Sequence, residues 1–264
     1  MRTPSIASVQ RALLLALVLP PLAVRPLAAQ TSSLPDAPLP QPAAHDNPTL
    51  RNLPRNLLHD QAAIWTSPAH LNQSNIVGPV LLVLGATVLA TTDHQVMSSH
   101  FTDPTLNNHA ATASDGLVGG FIAAPALLYS LGRAHHSDDL SQTGVLGGEA
   151  ILDSVAVNEV IRIVSRRERP TLDNARGRFF QPGVGFESSF PSNHAVIAWS
   201  SAAVLASEYN GPLALLTFYG LASGVSVSRV LARQHFPSDV LVGSGVGWMI
   251  GRYVYHHRRR DADQ

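Results

Sequence analysis

Six apolar stretches of helical length, separated by polar links rich in glycine and proline, leave this chain few architectures. They run over residues 76–90, 116–131, 145–164, 195–208, 212–229 and 239–255. Strands end sooner than this, so runs of this length read as helices, and turn formers between them allow neighbours to pack antiparallel. The fold expected is an all-α bundle of about six core helices. Residues 57–68, "LLHDQAAIWTSP", read as a short amphipathic segment ahead of them, and the chain has no internal repeat.

The stretches do not all suit lipid. The third holds Glu149, Asp153, Asn158, Glu159 and Arg162, side chains that a lipid-facing helix does not carry. The mean hydropathy of +0.10 is low for a chain made mostly of bilayer spans. The first, fifth and sixth stretches are apolar enough to span, with small residues that let helices approach closely. A bundle in water and a bundle inserted in a membrane both fit.

The two ends have a different character. Residues 1–29 read as an export signal, with Arg2 and Arg11 before an apolar core at 12–19 and a small-residue end at Leu27, Ala28 and Ala29. Pro20, Pro21 and Arg25 cut the apolar run short of a span, which favours a signal over an anchor. Residues 30–56 are proline-rich and polar and read as a disordered tether. The helical domain is expected over 57–257. The basic run from 256 to 260, with the tail 258–264, reads as solvated.

Composition removes several functions. With no cysteine there is no disulfide, thiolate catalysis or cysteine-ligated zinc. Eighteen basic residues, every one arginine, balance 18 acidic ones. A partner such as nucleic acid would call for a basic excess, so none is expected.

Chemistry gathers in three segments. "FPSNHAV", residues 190–196, opens the fourth stretch with turn and cap formers and then a histidine. A cation in a first turn opposes the positive end of the helix dipole, so His194 needs an anion beside it. "RIVSRRERP", residues 162–170, closes the third stretch. Arg162 and Arg169 are two helical turns apart and can share a face, and Pro170 ends the helix. "SRVLARQHFPSD", residues 228–239, holds Arg229, His235 and Asp239. Singly, these read as a solvated arginine face, a structural histidine and a surface pair. Together they put three arginines, two histidines and a carboxylate at the mouths of four apolar helices, and guanidinium forks fit phosphate oxygens.

The order and spacing resemble the type 2 phosphatidic acid phosphatase and vanadium haloperoxidase superfamily, whose pattern is KxxxxxxRP, then PSGH, then SRxxxxxHxxxD. The match runs directly from Arg162 to Asp239, and the helix arrangement extends it to about 57–257. The resemblance implies a six-helix bundle with a phosphate site at one end. It implies a phosphatase acting on a phosphomonoester or lipid phosphate, with a phosphorylated small molecule or lipid phosphate as its partner and membrane association possible. In that mechanism His235 is the nucleophile, forming a phosphohistidine that water hydrolyses. Asp239 holds the imidazole in its reactive tautomer, and His194 protonates the leaving alkoxide. Arg162, Arg169 and Arg229 cradle the phosphoryl oxygens, with Ser192 and the N–H groups at the helix start, Asn193 included, and the substrate phosphate is then the anion beside His194. No metal or other cofactor is implied; vanadate enters only under the haloperoxidase alternative, and a non-catalytic envelope protein with a vestigial phosphate cage is the third reading.

Two positions depart from the pattern. Arg162 stands for the family lysine and keeps the charge with a different shape. Asn193 stands for the glycine, and its side chain is expected to narrow the pocket. Elsewhere, His94, His100, His109, His135 and His136 read as surface residues. Phe179, Phe180, Phe186 and Phe190 suit either an aryl or lipid pocket or the core. In integral members of the family the site faces outward after the third span, which requires a cytoplasmic start. A cleaved signal starts the chain outside instead, which fits a periplasmic or envelope bundle, with an integral form still open.

Overall fold

A computed structural model describes residues 48–73 and 75–262. The expected signal and the tether up to residue 47 lie outside the described residues. Seven α-helices follow in order: α1 Leu53–Thr66, α2 Val77–Ser99, α3 Pro104–His135, α4 Asp138–Ser165, α5 Asn193–Glu208, α6 Pro212–Leu231 and α7 Pro237–Ala262. Among the described residues there is no strand. The all-α expectation holds, and the amphipathic segment becomes α1.

Local sequence sets the helix ends. Asp103 caps α3 by accepting from Thr105 N, ahead of Pro104. Ser137 caps α4, and Asp138 and Asp139 place negative charge in its first turn, where the dipole favours it. Ser192 caps α5. At the other end of α4, Arg166 adopts the left-handed conformation that closes a helix.

Helix α5 runs through the middle of the bundle, in contact with α3, α4, α6 and α7. Its closest partner is α7, and glycine makes that possible. Gly243, Gly247 and Gly251 form one ridge at four-residue spacing, laid against Ser192, Val196 and Ser200. A Cβ on Gly247 would sit 2.4 Å from the Val196 carbonyl oxygen, and one on Gly251 2.4 Å from that of Ser200. The two backbones therefore touch, as in small-residue helix pairs. A second device joins α3 to α5. Pro125 inside α3 has no N–H for the Phe121 carbonyl, and Ser201 of α5 donates its hydroxyl to that oxygen at 3.1 Å. Trp199, Phe121, Met97 and Phe236 fill the core between these helices.

The structure corrects both ends of the expected domain. Helix α1 begins at Leu53, inside the stretch read as tether. The stretch read as a solvated tail continues α7, and Arg258 is buried. Its Nε donates to Glu149 Oε1 at 3.0 Å and its Nη2 to Asp60 Oδ2 at 2.8 Å. Buried carboxylates demand a buried cation, and Arg258 supplies it.

Among the described residues three helices, α2, α3 and α6, are long and apolar enough to cross a membrane, by length and composition; they hold the first, second and fifth stretches, so the second takes the place expected of the sixth. Their outer faces are exposed and aliphatic: Leu81 and Val88 on α2, Leu127 on α3, Leu213 and Leu216 on α6.

Candidate active site

All three motif segments meet at the end of the bundle where α4 stops and α5 and α7 begin. The α4–α5 loop is stitched to both helix starts. Ser192 N donates to the Asp239 carbonyl at 3.1 Å, and Arg169 Nη1 donates to Gln234 Oε1 at 3.0 Å.

His235 sits just before α7 and is fully buried. Its Nδ1 lies 2.7 Å from the Ser189 carbonyl oxygen. A carbonyl only accepts, so Nδ1 carries the proton and Nε2 keeps its lone pair. Asp239 Oδ2 is farther off, at 3.8 Å from Nδ1. The tautomer expected from Asp239 is therefore held first by Ser189. Burial pushes the His235 pKa down to about 4, with Arg229 and Arg169 adding to the effect and Asp239 opposing it. At neutral pH it is an uncharged imidazole.

His194, in the first turn of α5, faces an anion of the protein's own, where the substrate phosphate was the one expected. Its Nε2 lies 2.8 Å from Asp115 Oδ1, a carboxylate on α3. Arg229 Nη1 donates to the same oxygen at 3.1 Å and to Ser114 Oγ at 3.1 Å. Burial lowers the His194 pKa, Arg229 lowers it further, and Asp115 works against both.

The other expected phosphate ligands are placed unequally. Arg169 Nε donates to the Glu187 carbonyl at 3.2 Å. Arg162 is buried, donates from Nη2 to the Phe186 carbonyl, and has Nε 3.5 Å from Glu159 Oε2. Neither Arg162 Nε nor Arg229 Nε has a hydrogen-bond acceptor among the described residues, so two buried donors on the cage arginines lack one. Ser192 Oγ accepts from Ala195 N as the α5 cap. The Asn193 side chain is held at both ends of its amide. It turns to α4, accepting from Asn158 Nδ2 at 2.5 Å and donating to Glu159 Oε1.

Several neighbours carry no sequence signature. Asp115 and Ser114 come from α3, outside every motif. Arg167 lies within the first motif's basic run, yet it is buried, with Nη1 2.5 Å from Asp239 Oδ1 and Nη2 2.8 Å from Asp93 Oδ2. Phe179 lies 4.7 Å from the Arg167 guanidinium and edge-on to Phe190, and it is exposed on its outer side, as are Phe180 and Phe186. Of the histidines read as surface residues, His94, His109, His135 and His136 are exposed and His100 is half-buried.

Side chains of metal-ligating type also cluster elsewhere. His59, Asp60 and His257 form one group, and Asp60, Glu149 and Asp153 another. Glu149 precedes Arg162 by 13 positions on α4, about 20 Å of helix. Arg258 bonds two of the three carboxylates in the second group.

Part of the chain resembles known proteins. A family model described as the PAP2 superfamily matches residues 144–262. The lipid A 1-phosphatase of Porphyromonas gingivalis is 34% identical over 70 residues, 26% of this chain and 16% of that protein. The decaprenylphosphoryl-5-phosphoribose phosphatase of Mycobacterium tuberculosis is 28% identical over 110 residues, 42% of this chain and 58% of that protein. The chain thus spans less than two thirds of either relative's length. No solved structure matches significantly.

Proposed function

We propose, from the premise that residues 144–262 belong to the PAP2 superfamily, that this protein is a phosphatase working through a phosphohistidine on His235. The observation that carries the reading is the His235 hydrogen bond to Ser189. It leaves Nε2 deprotonated in a buried pocket beside Arg229 and Arg169. A neutral, fixed, desolvated imidazole among cations is what in-line attack on a phosphoryl group needs.

The steps follow from the residues in hand. His235 Nε2 attacks phosphorus, and the bond to the alcohol oxygen breaks. His194 gives its proton to that departing oxygen, so the alcohol leaves neutral. Water then attacks the phosphohistidine, His194 takes the water's proton, and phosphate is released with both histidines restored. Arg229, Arg169 and Arg162 hold the equatorial oxygens, whose charge builds at the transition state. The Nε groups of Arg162 and Arg229, which have no hydrogen-bond acceptor among the described residues, are donors for that anion, with Glu159 3.5 Å from the first of them.

The substrate class we propose is a lipid phosphate. Both relatives are phosphatases whose names carry a lipid, and the exposed aliphatic faces of α2, α3 and α6 fit a protein held at a membrane in the cell envelope. The test is phosphate release from purified full-length protein in detergent, with phosphatidic acid, a polyprenyl phosphate and nitrophenyl phosphate as substrates. Wild type should hydrolyse the lipids and trap acid-labile phosphate, and His235→Ala should lose turnover while still binding phosphate. Turnover persisting in His235→Ala overturns the nucleophile. Halide oxidation by peroxide after vanadate loading, without phosphatase activity, would select the haloperoxidase reading.

A further inference from the structure

We propose that Arg167 is a positioning residue, the middle of a buried Asp93–Arg167–Asp239 chain that clamps the Asp239 carboxylate and draws its charge away from His235. This rests on the phosphohistidine reading above.

The clamp is rigid. Arg167 is 3% exposed, Asp93 2% and Asp239 0%. Its Nη1 donates to Asp239 Oδ1 at 2.5 Å and to Ser238 Oγ at 2.8 Å. Its Nη2 donates to Asp93 Oδ2 at 2.8 Å and its Nε to the Gly177 carbonyl at 3.1 Å. Phe236 and Phe179 lie over the guanidinium at 4.1 and 4.7 Å. Gly177, at φ +58°, lets the loop close on them, since a Cβ there would meet the Phe236 ring at 2.5 Å. Asp93 is anchored in turn by Ser238, which donates to it from backbone N at 3.2 Å and from Oγ. The guanidinium has nowhere else to go.

The consequence for His235 is electrostatic. Asp239 gives Oδ1 to Arg167 and Oδ2 to Phe236 N, leaving Oδ2 3.8 Å from the imidazole. A carboxylate free of Arg167 would approach His235 with its full charge and favour the imidazolium, which cannot attack phosphorus. Arg167 prevents this, and Asp93 limits how far Arg167 itself opposes the proton. The charged groups facing His235 are Asp239 from α7, Arg229 from α6 and Arg169 from the α4–α5 loop. Arg162 of α4 acts on Asp239, Asp115 of α3 on Arg229, and Asp93 of α2 on Arg167.

Breaking the chain at its middle and at its Asp93 end gives opposite signs. Arg167→Met should raise the His235 titration midpoint by about one pH unit or more, the effect expected of a newly free neighbouring carboxylate. Asp93→Asn should lower it, because Arg167 then faces Asp239 and His235 with less opposition. Arg167→Lys should fall between Arg167→Met and wild type. The measurement is the ¹⁵N titration of His235 in full-length protein in detergent, assigned with His235→Gln, beside the acid limb of kcat/KM. Midpoints that do not move in any of the three overturn the proposal. So do midpoints that rise together in Arg167→Met and Asp93→Asn, the signature of a loosened site admitting water. Should Arg167→Met not fold, Arg167→Lys and Asp93→Asn still differ in sign. The titration needs no turnover: if wild type hydrolyses nothing, the phosphatase reading fails and the clamp is still decided.

Discussion

Asp115 changes what His194 can do. A histidine held by a carboxylate keeps its proton to higher pH than one facing Arg229 alone, and here burial and Arg229 still win, leaving its pKa below the ordinary 6.5. In the proposed mechanism two histidines titrate, and His235 must be neutral to attack, so activity is lost as pH falls through about 4. His194 must be protonated to donate, so activity is lost as pH rises through a value below 6.5. The kcat/KM profile should therefore be a bell on the acid side of neutrality, and an optimum at pH 8 would contradict these assignments. Asp115→Asn removes the support for the imidazolium, so the alkaline limb should move to lower pH while the acid limb stays; a limb that stays or moves up would detach Asp115 from His194. His194→Ala should depress alkyl phosphate hydrolysis far more than nitrophenyl phosphate hydrolysis, by roughly 10²–10⁴-fold, because nitrophenolate leaves without a proton. Equal losses on the two substrates would leave His194 a mere phosphate ligand. His194, His235, Arg169, Arg229 and Asp239 were legible because their spacing is local. Asp115 was not, since it meets His194 across 79 positions with no pattern to mark it. Arg167 was visible as a letter but not as a buried ion, for burial is decided by α2 and α7.

Among the elements, the α5–α7 pair sets the site's geometry. The glycine ridge brings the α7 backbone onto α5, and so brings Asp239 to the Ser192 N–H. Glycine to alanine inside a helix ordinarily stabilises it by about 1 kcal/mol. At Gly247 the new methyl would meet a backbone oxygen at 2.4 Å that cannot turn aside, so Gly247→Ala should instead destabilise by about 1–3 kcal/mol. Gly220 on α6 has nothing within 4 Å of its added Cβ, so Gly220→Ala should hold or gain stability. Thermal inactivation of the two variants compares them, and a Gly247→Ala protein as durable as wild type would deny the close contact. The six apolar stretches found every core helix but not its length. Helix α2 continues to Ser99 and α3 starts back at Pro104 through polar turns that hydropathy does not register. The same blindness ended α7 too early.

For the molecule as a whole, two faces matter. The aliphatic faces of α2, α3 and α6 predict that the protein stays with the membrane fraction through osmotic shock and a salt wash and is released by detergent; recovery in the shock fluid would mean those faces are covered otherwise. At the far end from the candidate site, Arg258 ties α7 to Asp60 on α1 and Glu149 on α4. Arg258→Met would leave buried carboxylates without their cation, a loss of about 3–5 kcal/mol, read as a lowered inactivation temperature with the pH profile unchanged. A profile that shifted as well would join the two ends electrostatically. Overall architecture was legible because helix count and motif order are linear properties; this long-range tie was not, since a basic run near a terminus looks the same whether solvated or buried. Arg258 lies 198 positions after the Asp60 that it holds. On the ribosome, then, α1 waits for almost the whole helical domain to emerge before its anchor exists, so a nascent chain halted a few codons short of Arg258 would carry every residue of the candidate site and still expose an undocked α1 to proteases.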